Sequence, residues 1–176
     1  MPFFSQQLEL RQADITKLAC DVIVNAANSS LMGGGGVDGA IHQAAGPQLA
    51  VACHQLHGCR TGEAKITPGF DLPAKYVIHT VGPRYRDNKK TAALLLAACY
   101  RNSLDLAAQY QARQIAFPAI ATGIYGYPLA EAIPIAVLTI QKWLNQHKNK
   151  QLQVIFCCYD HLTYQNYQTY LEKFVK

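Results

Sequence analysis

The chain has 176 residues, half of them hydrophobic and 15% charged. This composition excludes a disordered or collagen-like chain, and the length suits one globular domain. No segment of the sequence approaches the roughly 20 apolar residues needed to span a bilayer. The formal net charge of +5 would suit an anionic ligand or RNA. The basic residues are scattered, however, so we interpret the surplus as solvated surface and expect neither a nucleic-acid nor a membrane partner.

The N-terminal residues and the cysteines bear on the compartment. The opening sequence MPFFSQQ lacks the basic start and apolar run of a secretory signal. The six cysteines include no C-x-x-C pair, so we expect reduced thiols in a cytoplasmic protein. Cys53, His54, His57 and Cys59 lie close together in the sequence, but their spacing matches no common zinc template. We therefore expect no metal.

Extended and helical patterns alternate along the chain. In chain order, the predicted strands span residues 8–12, 22–26, 64–67, 76–81, 114–117 and 152–158. The predicted helices span residues 39–56 with a break at Gly46-Pro47, 91–111, 129–147 and a closing segment. The apolar stripes of the last three helices are predicted as Leu95, Cys99, Leu106 and Tyr110; Ile133, Val137, Ile140 and Leu144; and Tyr164, Tyr167, Leu171 and Phe174.

This alternation predicts an α/β fold in which a largely parallel sheet lies between helices. With no linker or repeat in the sequence, we expect residues 1–176 to form a single domain. Ligands of such folds bind outside the carboxyl ends of the strands. The functional loops should therefore follow residues 26, 81, 117 and 158.

The segment IVNAANSSLMGGGGVDGAIH, residues 23–42, is the most informative part of the chain. Four consecutive glycines cost much backbone entropy on ordering, and they precede a helix whose free N–H groups favour an anion. The segment therefore predicts a phosphate site. It is a weak Rossmann signal, because five residues (NSSLM) separate the strand region from the glycines and no acid follows about 20 residues on. The alternative is a loop that is glycine-rich only to pass under other backbone.

A second glycine loop, AIATGIYGYP at residues 119–128, also follows a strand and leads into a helix. Thr122, Gly123 and the amides after them could bind a second phosphate, so the two loops together would suit a pyrophosphate. The alternative is a turn that is rich in glycine and tyrosine for packing.

Two acids stand beside these loops. Asp14 either caps a short turn or accepts a hydrogen bond from an exocyclic amine such as that of adenine. Asp38 either caps its helix or works on a ligand, because an uncompensated acid next to a phosphate needs a reason. Asn25 and Asn28 carry amides suited to sugar hydroxyls, although asparagine is also a common turn residue.

Three aromatic residues complete the set of candidates. His42 lies one helical turn after Asp38 and could reach the same site, but we interpret it as an ordinary, partly buried histidine. We also interpret His79 as structural. Tyr159 follows the last strand, where it could stack on a base or simply pack.

These residues resemble a known family, the macrodomains, and within it the MacroD-type ADP-ribosyl hydrolases and the bacterial O-acetyl-ADP-ribose deacetylases. The resemblance runs through most of the chain in the motifs DITKL (14–18), DVIVNAANSSLMGGGGVDGAIH (21–42), AAG (44–46), LPAKYVIHTVGP (72–83), FPAIATGIYGYP (117–128) and CYD (158–160). It implies a three-layer α/β/α sandwich with a mixed sheet and an ADP-ribose cleft across the strand ends.

The resemblance also implies residue roles, with Asp38, Asn25 and Asn28 as the catalytic group and Asp38 orienting or activating a water. Asp14 would bind the adenine amine beside the Ile15 amide, and Tyr159 would flank the adenine. The residues that would contact the distal ribose and diphosphate are Asn28, Gly34, Gly35, Gly36, Val37, Ala121, Thr122, Gly123, Ile124 and Tyr125. No cofactor is implied.

Three positions depart from the family pattern. Many relatives have serine where this chain has Ala121, arginine where it has Gln43, and glycine where it has Ala13. Loss of the serine hydroxyl would weaken affinity by about 1 kcal/mol if that group formed a hydrogen bond. None of the three positions is Asp38, so hydrolysis stays the expectation.

The expected activity is hydrolysis of O-acetyl-ADP-ribose and of mono-ADP-ribose linked to protein Asp or Glu side chains, by a monomeric protein. A binding-only ADP-ribose reader is the main alternative, although it would be expected to lack the pairing of Asn25 with Asp38. An RNA-binding module would instead lose affinity steeply with salt. A nicotinamide-dependent oxidoreductase is disfavoured by the long connection from the strand to the glycines.

Overall fold

The computed structural model describes Ser5 and residues 7–174, so most of the N-terminal MPFFSQQ segment lies outside the described residues. The elements in chain order are β1 (Leu8–Gln12), β2 (Val22–Ala26), α1 (Gly36–Ala45), α2 (Pro47–Gln55), β3 (Ala64–Pro68), β4 (Tyr76–Thr80), α3 (Lys89–Gln109), β5 (Gln114–Phe117), α4 (Leu129–Gln146), β6 (Gln153–Cys158) and α5 (His161–Phe174). A 3-10 turn, Ile15–Lys17, follows β1.

The strands form one mixed sheet in the order β1-β6-β5-β2-β4-β3. Five strands run parallel, and only the edge strand β3 is antiparallel to its neighbour β4. The predicted largely parallel sheet is confirmed. Because the parallel strands share one direction, their carboxyl ends meet along a single edge.

Helices cover both faces of the sheet. Val22 and Val24 of β2 face a core shared with α3, α4 and α5, whereas Ile23 faces a second core shared with α1 and α2. This alternation follows from the two-residue period of a strand. The three-layer α/β/α sandwich is therefore confirmed. No helix in the described part of the chain is long and apolar enough to cross a membrane.

The predicted break at Gly46-Pro47 is confirmed, but the helix before it begins at Gly36, three residues earlier than predicted. Gly46 separates α1 from α2 with φ of +86°, a backbone conformation that glycine adopts readily, and Pro47 opens α2. The start of α1 was hard to predict because its N-cap is Gly35, which makes no side-chain capping hydrogen bond. The remaining bounds agree with the prediction to within two residues.

The predicted apolar stripe of α3 is confirmed only in part. The structure buries Cys99, but it leaves Leu95 and Leu106 half-buried and Tyr110 43% exposed. The helix packs on α4 as well as on β3 and β4, so its buried surface is a broad band that includes Leu96 and Leu104. The predicted stripe of α4, which packs more simply, is confirmed: Ile133, Val137, Ile140 and Leu144 are all buried.

Candidate active site

A cleft of about 800 Å³ runs across the carboxyl ends of the parallel strands, between the loops that follow β1, β2, β5 and β6. Asp38 and all the predicted ligand-binding residues line it: Asp14, Ile15, Asn28, Gly34, Gly35, Gly36, Val37, Ala121, Thr122, Gly123, Ile124, Tyr125 and Tyr159. Asn25 does not line the cleft, since it is completely buried beneath Asp38.

The glycines after β2 have two distinct structural purposes. A Cβ atom on Gly39 would lie 2.5 Å from the carbonyl oxygen of Gly34, so only glycine lets α1 pass this close to its own leading loop. Gly35 and Gly36 instead face open space, where an added Cβ would meet no atom within 4 Å. The segment after β2 is therefore rich in glycine partly for packing, at Gly39, and partly to leave the cleft open to a ligand, at Gly35 and Gly36.

Backbone amides supply the electropositive surface of the cleft. The first turn of α1 presents Gly36 and Val37, whose N–H groups have no intrahelical partner. On the opposite wall, the amides of Gly123, Ile124 and Tyr125 form no hydrogen bond with the residues that the structure describes. No lysine, arginine or histidine is among the residues that line the cleft in this part of the chain. An anion bound there would be met by amides on both sides.

Asn28 holds the glycine loop in shape. Its amide nitrogen donates to the carbonyl oxygen of Gly33 at 2.7 Å, and its amide oxygen accepts from the Leu31 N–H at 3.1 Å and from the Ser30 hydroxyl at 2.7 Å. The turn interpretation of this residue is thus confirmed, and its contact with a ribose stays a prediction.

Asp38 lies at the floor of the cleft with only 4% of its surface exposed. Its Oδ1 accepts a hydrogen bond from the Asn25 amide nitrogen at 2.8 Å, and the His42 Nε2 atom lies 3.5 Å from the same oxygen. Oδ2 accepts no hydrogen bond from the described residues and points toward Gly34. One oxygen of the carboxylate is thus fixed by the protein, while the other is available to a ligand or a water.

Three further buried groups, the side chains of His79, Thr67 and Cys53, lie behind Asp38. The His79 Nδ1 atom lies 3.1 Å from the Asn25 amide nitrogen, and its Nε2 lies 3.0 Å from the Thr67 hydroxyl and 3.7 Å from the Cys53 sulfur. Burial, aided by the nearby His42, lowers the pKa of His79 to about 3, so this ring is neutral. The sequence interpretation did not connect His79 with the site. The available signal was a pair of polar residues, Asn25 and His79, inside two adjacent buried strands.

The other end of the cleft is open. One oxygen of Asp14 accepts from the Thr16 amide at 3.0 Å and from the Thr16 hydroxyl at 2.7 Å, and the hydroxyl contact lowers the pKa of the carboxyl group. The capping interpretation is therefore confirmed, and the second oxygen is free to accept from a ligand amine. Tyr159 is 81% exposed, so its ring is not packed in the core.

Some residues of the cleft escaped the sequence interpretation because they offer backbone or apolar surface with no chemical signature. Gly82, Pro118 and Cys158 are of this kind, and Asp160 and Thr163 also line the cleft. The carboxylate of Asp160 is occupied by the amide and hydroxyl of Thr163, and the amide contact lowers the pKa of this carboxyl group.

The four candidate metal ligands of the segment 53–59 do not come together at one site. Cys53 and Cys59 are buried, whereas His54 and His57 are exposed. Among the described residues, no three His, Cys, Asp or Glu side chains are grouped as a metal would require. All six cysteines are buried free thiols.

Comparison with known proteins identifies the family. The profile of the Macro domain family matches residues 24–136, which include both glycine loops and Asp38. The chain belongs to the Macro domain family. Among similar proteins, a macro domain-containing protein of Ralstonia nicotianae is 57% identical over 173 residues, 98% of this chain and 99% of its own length. The ADP-ribose glycohydrolase MACROD2 of Xenopus laevis is 49% identical over 173 residues, which are 96% of this chain and 41% of the longer relative.

Solved structures agree with this assignment. The macrodomain of Oceanobacillus iheyensis with ADP superimposes with a TM-score of 0.91 at 45% identity, covering 96% of this chain and 91% of the other. The Trypanosoma brucei macrodomain in complex with ADP-ribose gives a TM-score of 0.88 at 42% identity, covering 94% of this chain and 69% of the other.

Proposed function

We propose that this macro domain binds ADP-ribose and hydrolyses groups esterified to its distal ribose. The substrates would be O-acetyl-ADP-ribose and proteins mono-ADP-ribosylated on Asp or Glu side chains. The observation that carries the proposal is the buried Asp38 carboxylate, which has one oxygen fixed by Asn25 and the other free, in a cleft where two glycine loops present free backbone amides. The names of the MacroD relatives as glycohydrolases support a hydrolase.

The order of strands along the sheet edge suggests how the ligand lies. Asp14 and Tyr159 follow β1 and β6, which are neighbours at one side of the sheet, so the adenine would bind there. The diphosphate would lie between the loop after β5 and the first turn of α1, bound by amides from both. The distal ribose then reaches Asn28 and Asp38 after β2. The order of these residues along the cleft then follows the order of chemical groups in ADP-ribose, from the adenine to the distal ribose.

Asp38 would act on water. A carboxylate beside a diphosphate is unfavourable in itself, so its presence fits a role in holding a water between its free Oδ2 and a phosphate oxygen. The water adds its hydroxyl to the ester, the ester bond breaks, and the remaining proton goes to the departing oxygen. Asn25 keeps Asp38 oriented, and Asn28 keeps the loop around the ribose closed.

The setting of the proposed reaction follows from the same residues. The loop amides supply the phosphate contacts, so the mechanism calls on no metal and no cofactor. Six buried free thiols suit the reducing cytoplasm, where we propose that the protein works. We further propose that residues 1–176 act as one domain and as a monomer.

The test is release of ADP-ribose from a glutamate-linked mono-ADP-ribosylated protein, and of acetate from O-acetyl-ADP-ribose. Replacement of Asp38 by alanine should lower kcat by about 100- to 10,000-fold, the usual contribution of a positioned acid or base. The variant Asp38→Asn keeps the shape and the contact with Asn25 but loses the charge, so it should be nearly as inactive. Both variants should still bind ADP-ribose.

Two other outcomes would change the proposal. Tight ADP-ribose binding with no release by the wild type would make the chain a reader and give Asp38 a binding role. Wild-type turnover in Asp38→Asn would remove the carboxylate from the mechanism. Hydrolysis in isotopically labelled water also locates the attack: label in the released carboxylate indicates the carbonyl carbon, and label in ADP-ribose indicates the anomeric carbon.

A further inference from the structure

We infer that His79 is a positioning residue, which fixes the orientation of the Asn25 amide and through it the carboxylate of Asp38. The inference rests on the proposed function, because it assigns His79 a part in the same reaction. His79 does not line the cleft, and it is completely buried. Its influence must therefore pass through Asn25.

The contacts form a continuous chain across four elements. Thr67 on β3 contacts Nε2 of His79 on β4, and Nδ1 of His79 contacts the amide nitrogen of Asn25 on β2. The same amide nitrogen donates to Asp38 Oδ1 on α1. All four residues are at most 4% exposed, so bulk solvent does not compete for these contacts. In such surroundings the orientation of each group decides that of the next.

Hydrogen-bonding logic fixes the direction of the chain. A carboxylate oxygen can only accept, so the atom of Asn25 that faces Asp38 is the amide nitrogen. That nitrogen has two hydrogens, and the second points to His79 Nδ1, which must therefore accept. The proton of the neutral ring is then on Nε2, where the Thr67 hydroxyl accepts it. The opposite tautomer would set two N–H donors against each other.

Asn25 shows the consequence of this arrangement. Its amide oxygen is buried without a hydrogen-bond partner among the described residues, while its nitrogen serves two acceptors. A buried acceptor left unpaired is unfavourable, so a free amide would tend to turn. His79 prevents this, since turning would place the amide oxygen against Nδ1 and against Asp38. The ring thus keeps a donor directed at the carboxylate.

Two amide substitutions separate this role from simple packing. The oxygen of an asparagine side chain falls near the position of histidine Nδ1, so His79→Asn retains an acceptor toward Asn25. The nitrogen of a glutamine side chain falls near Nε2, so His79→Gln retains the contact with Thr67 but loses that acceptor. Ile78→Val is the control for stability, because Ile78 is the buried neighbour of His79 in β4 and faces the other core.

We expect His79→Gln to lower kcat by about tenfold, the effect of weakening one hydrogen bond to a charged group. Its KM and its Kd for ADP-ribose should be unchanged. His79→Asn should retain most of the activity, and Ile78→Val should keep wild-type kcat. Equal kcat for all variants, or equal losses in His79→Asn and His79→Gln, would overturn the inference and leave His79 a packing residue.

Nitrogen NMR of the wild-type protein tests the chain independently of turnover and of variant folding. The inference requires a neutral His79 ring with its proton on Nε2 and with Nδ1 unprotonated. A proton on Nδ1 would overturn it. If the wild type shows this tautomer and binds ADP-ribose but hydrolyses nothing, the proposed function fails while the orientation of Asn25 stands. If the wild type is active but carries the ring proton on Nδ1, the proposed function stands and the inferred role of His79 fails.

Discussion

The two ends of the cleft are built in opposite ways. At one end Asp38, Asn25 and His79 are almost fully buried and hold one another through side-chain hydrogen bonds. At the other end Tyr159 is 81% exposed, and Asp14 presents one carboxylate oxygen to the cleft. A reacting group gains from a fixed orientation in a water-poor site, whereas a base can be bound by exposed contacts. The contrast predicts that changes at the buried end alter kcat and stability, and changes at the open end alter affinity.

After the loss of turnover expected in the Asp38 variants, the largest effect expected from this contrast is on stability at mildly acidic pH. Burial lowers the pKa of His79 to about 3 in the folded protein. Below about pH 6.5 this histidine therefore binds a proton in the unfolded chain but not in the folded protein. The free energy of unfolding should therefore fall with falling pH, by about 2 kcal/mol between about pH 6.5 and about pH 4.5. Chemical denaturation across this range measures it.

The matched variant for this experiment is His79→Gln, which cannot take up the proton. Its free energy of unfolding should be lower at pH 7 and flatter toward acid. The carboxyl groups of Asp14 and Asp160 have lowered pKa values in the folded protein. Their contribution to the free energy of unfolding is therefore lost only at still lower pH. An equally steep curve in the variant would show that His79 is not the group responsible.

The next effect concerns Asp14 at the open end. Replacement by asparagine keeps an oxygen to cap the turn, since the contacts with Thr16 use only one carboxylate oxygen. It removes the charge and the second acceptor that would face the adenine amine. We expect Kd for ADP-ribose to rise about tenfold in Asp14→Asn with kcat unchanged, measured by calorimetry and by steady-state kinetics.

The variant Asp14→Ala separates the two roles of this residue. It should lose the same affinity and also about 1 kcal/mol of stability, because the cap is gone. Wild-type affinity in Asp14→Asn, with lower stability only in Asp14→Ala, would mean that Asp14 is a cap and nothing more.

The smallest effect is expected at Tyr159. Stacking of a base on an aromatic ring contributes about 1 kcal/mol at the lower end of measured values, and we expect this lower value for a ring that is 81% exposed. Kd for ADP-ribose should rise about fivefold in Tyr159→Ala and stay unchanged in Tyr159→Phe, which keeps the ring. Loss of kcat in Tyr159→Ala would contradict the separation of the two ends.

Local pattern was enough to predict most of the fold. The strands, the break at Gly46 and the apolar face of α4 follow from residue periods and from backbone rules that act over a few residues. The apolar stripe of α3 was predicted only in part, because that helix packs on several elements at once, which the local sequence does not encode.

Most residues of the candidate site could be predicted from the sequence, but the side-chain contacts among them could not. The glycine loops stand out because ordering several glycines costs backbone entropy. Asp38 stands out because an acid beside a phosphate site is unfavourable unless it acts on the ligand. The contacts of Asn25 with His79 and of His79 with Thr67 join residues 54 and 12 positions apart, and depend on the register of three strands. That register arises from the whole sheet, so the sequence indicated a structural histidine and left its partner unspecified.

The most direct test of the account measures kcat and the Kd for ADP-ribose in Asp38→Asn and Asp14→Asn, side by side with the wild type. We predict that Asp38→Asn loses kcat by at least about 100-fold and keeps its affinity, whereas Asp14→Asn keeps kcat and loses affinity. If Asp38→Asn kept its turnover, or if both variants lost affinity alone, the buried end of the cleft would not be the place where the chemistry occurs.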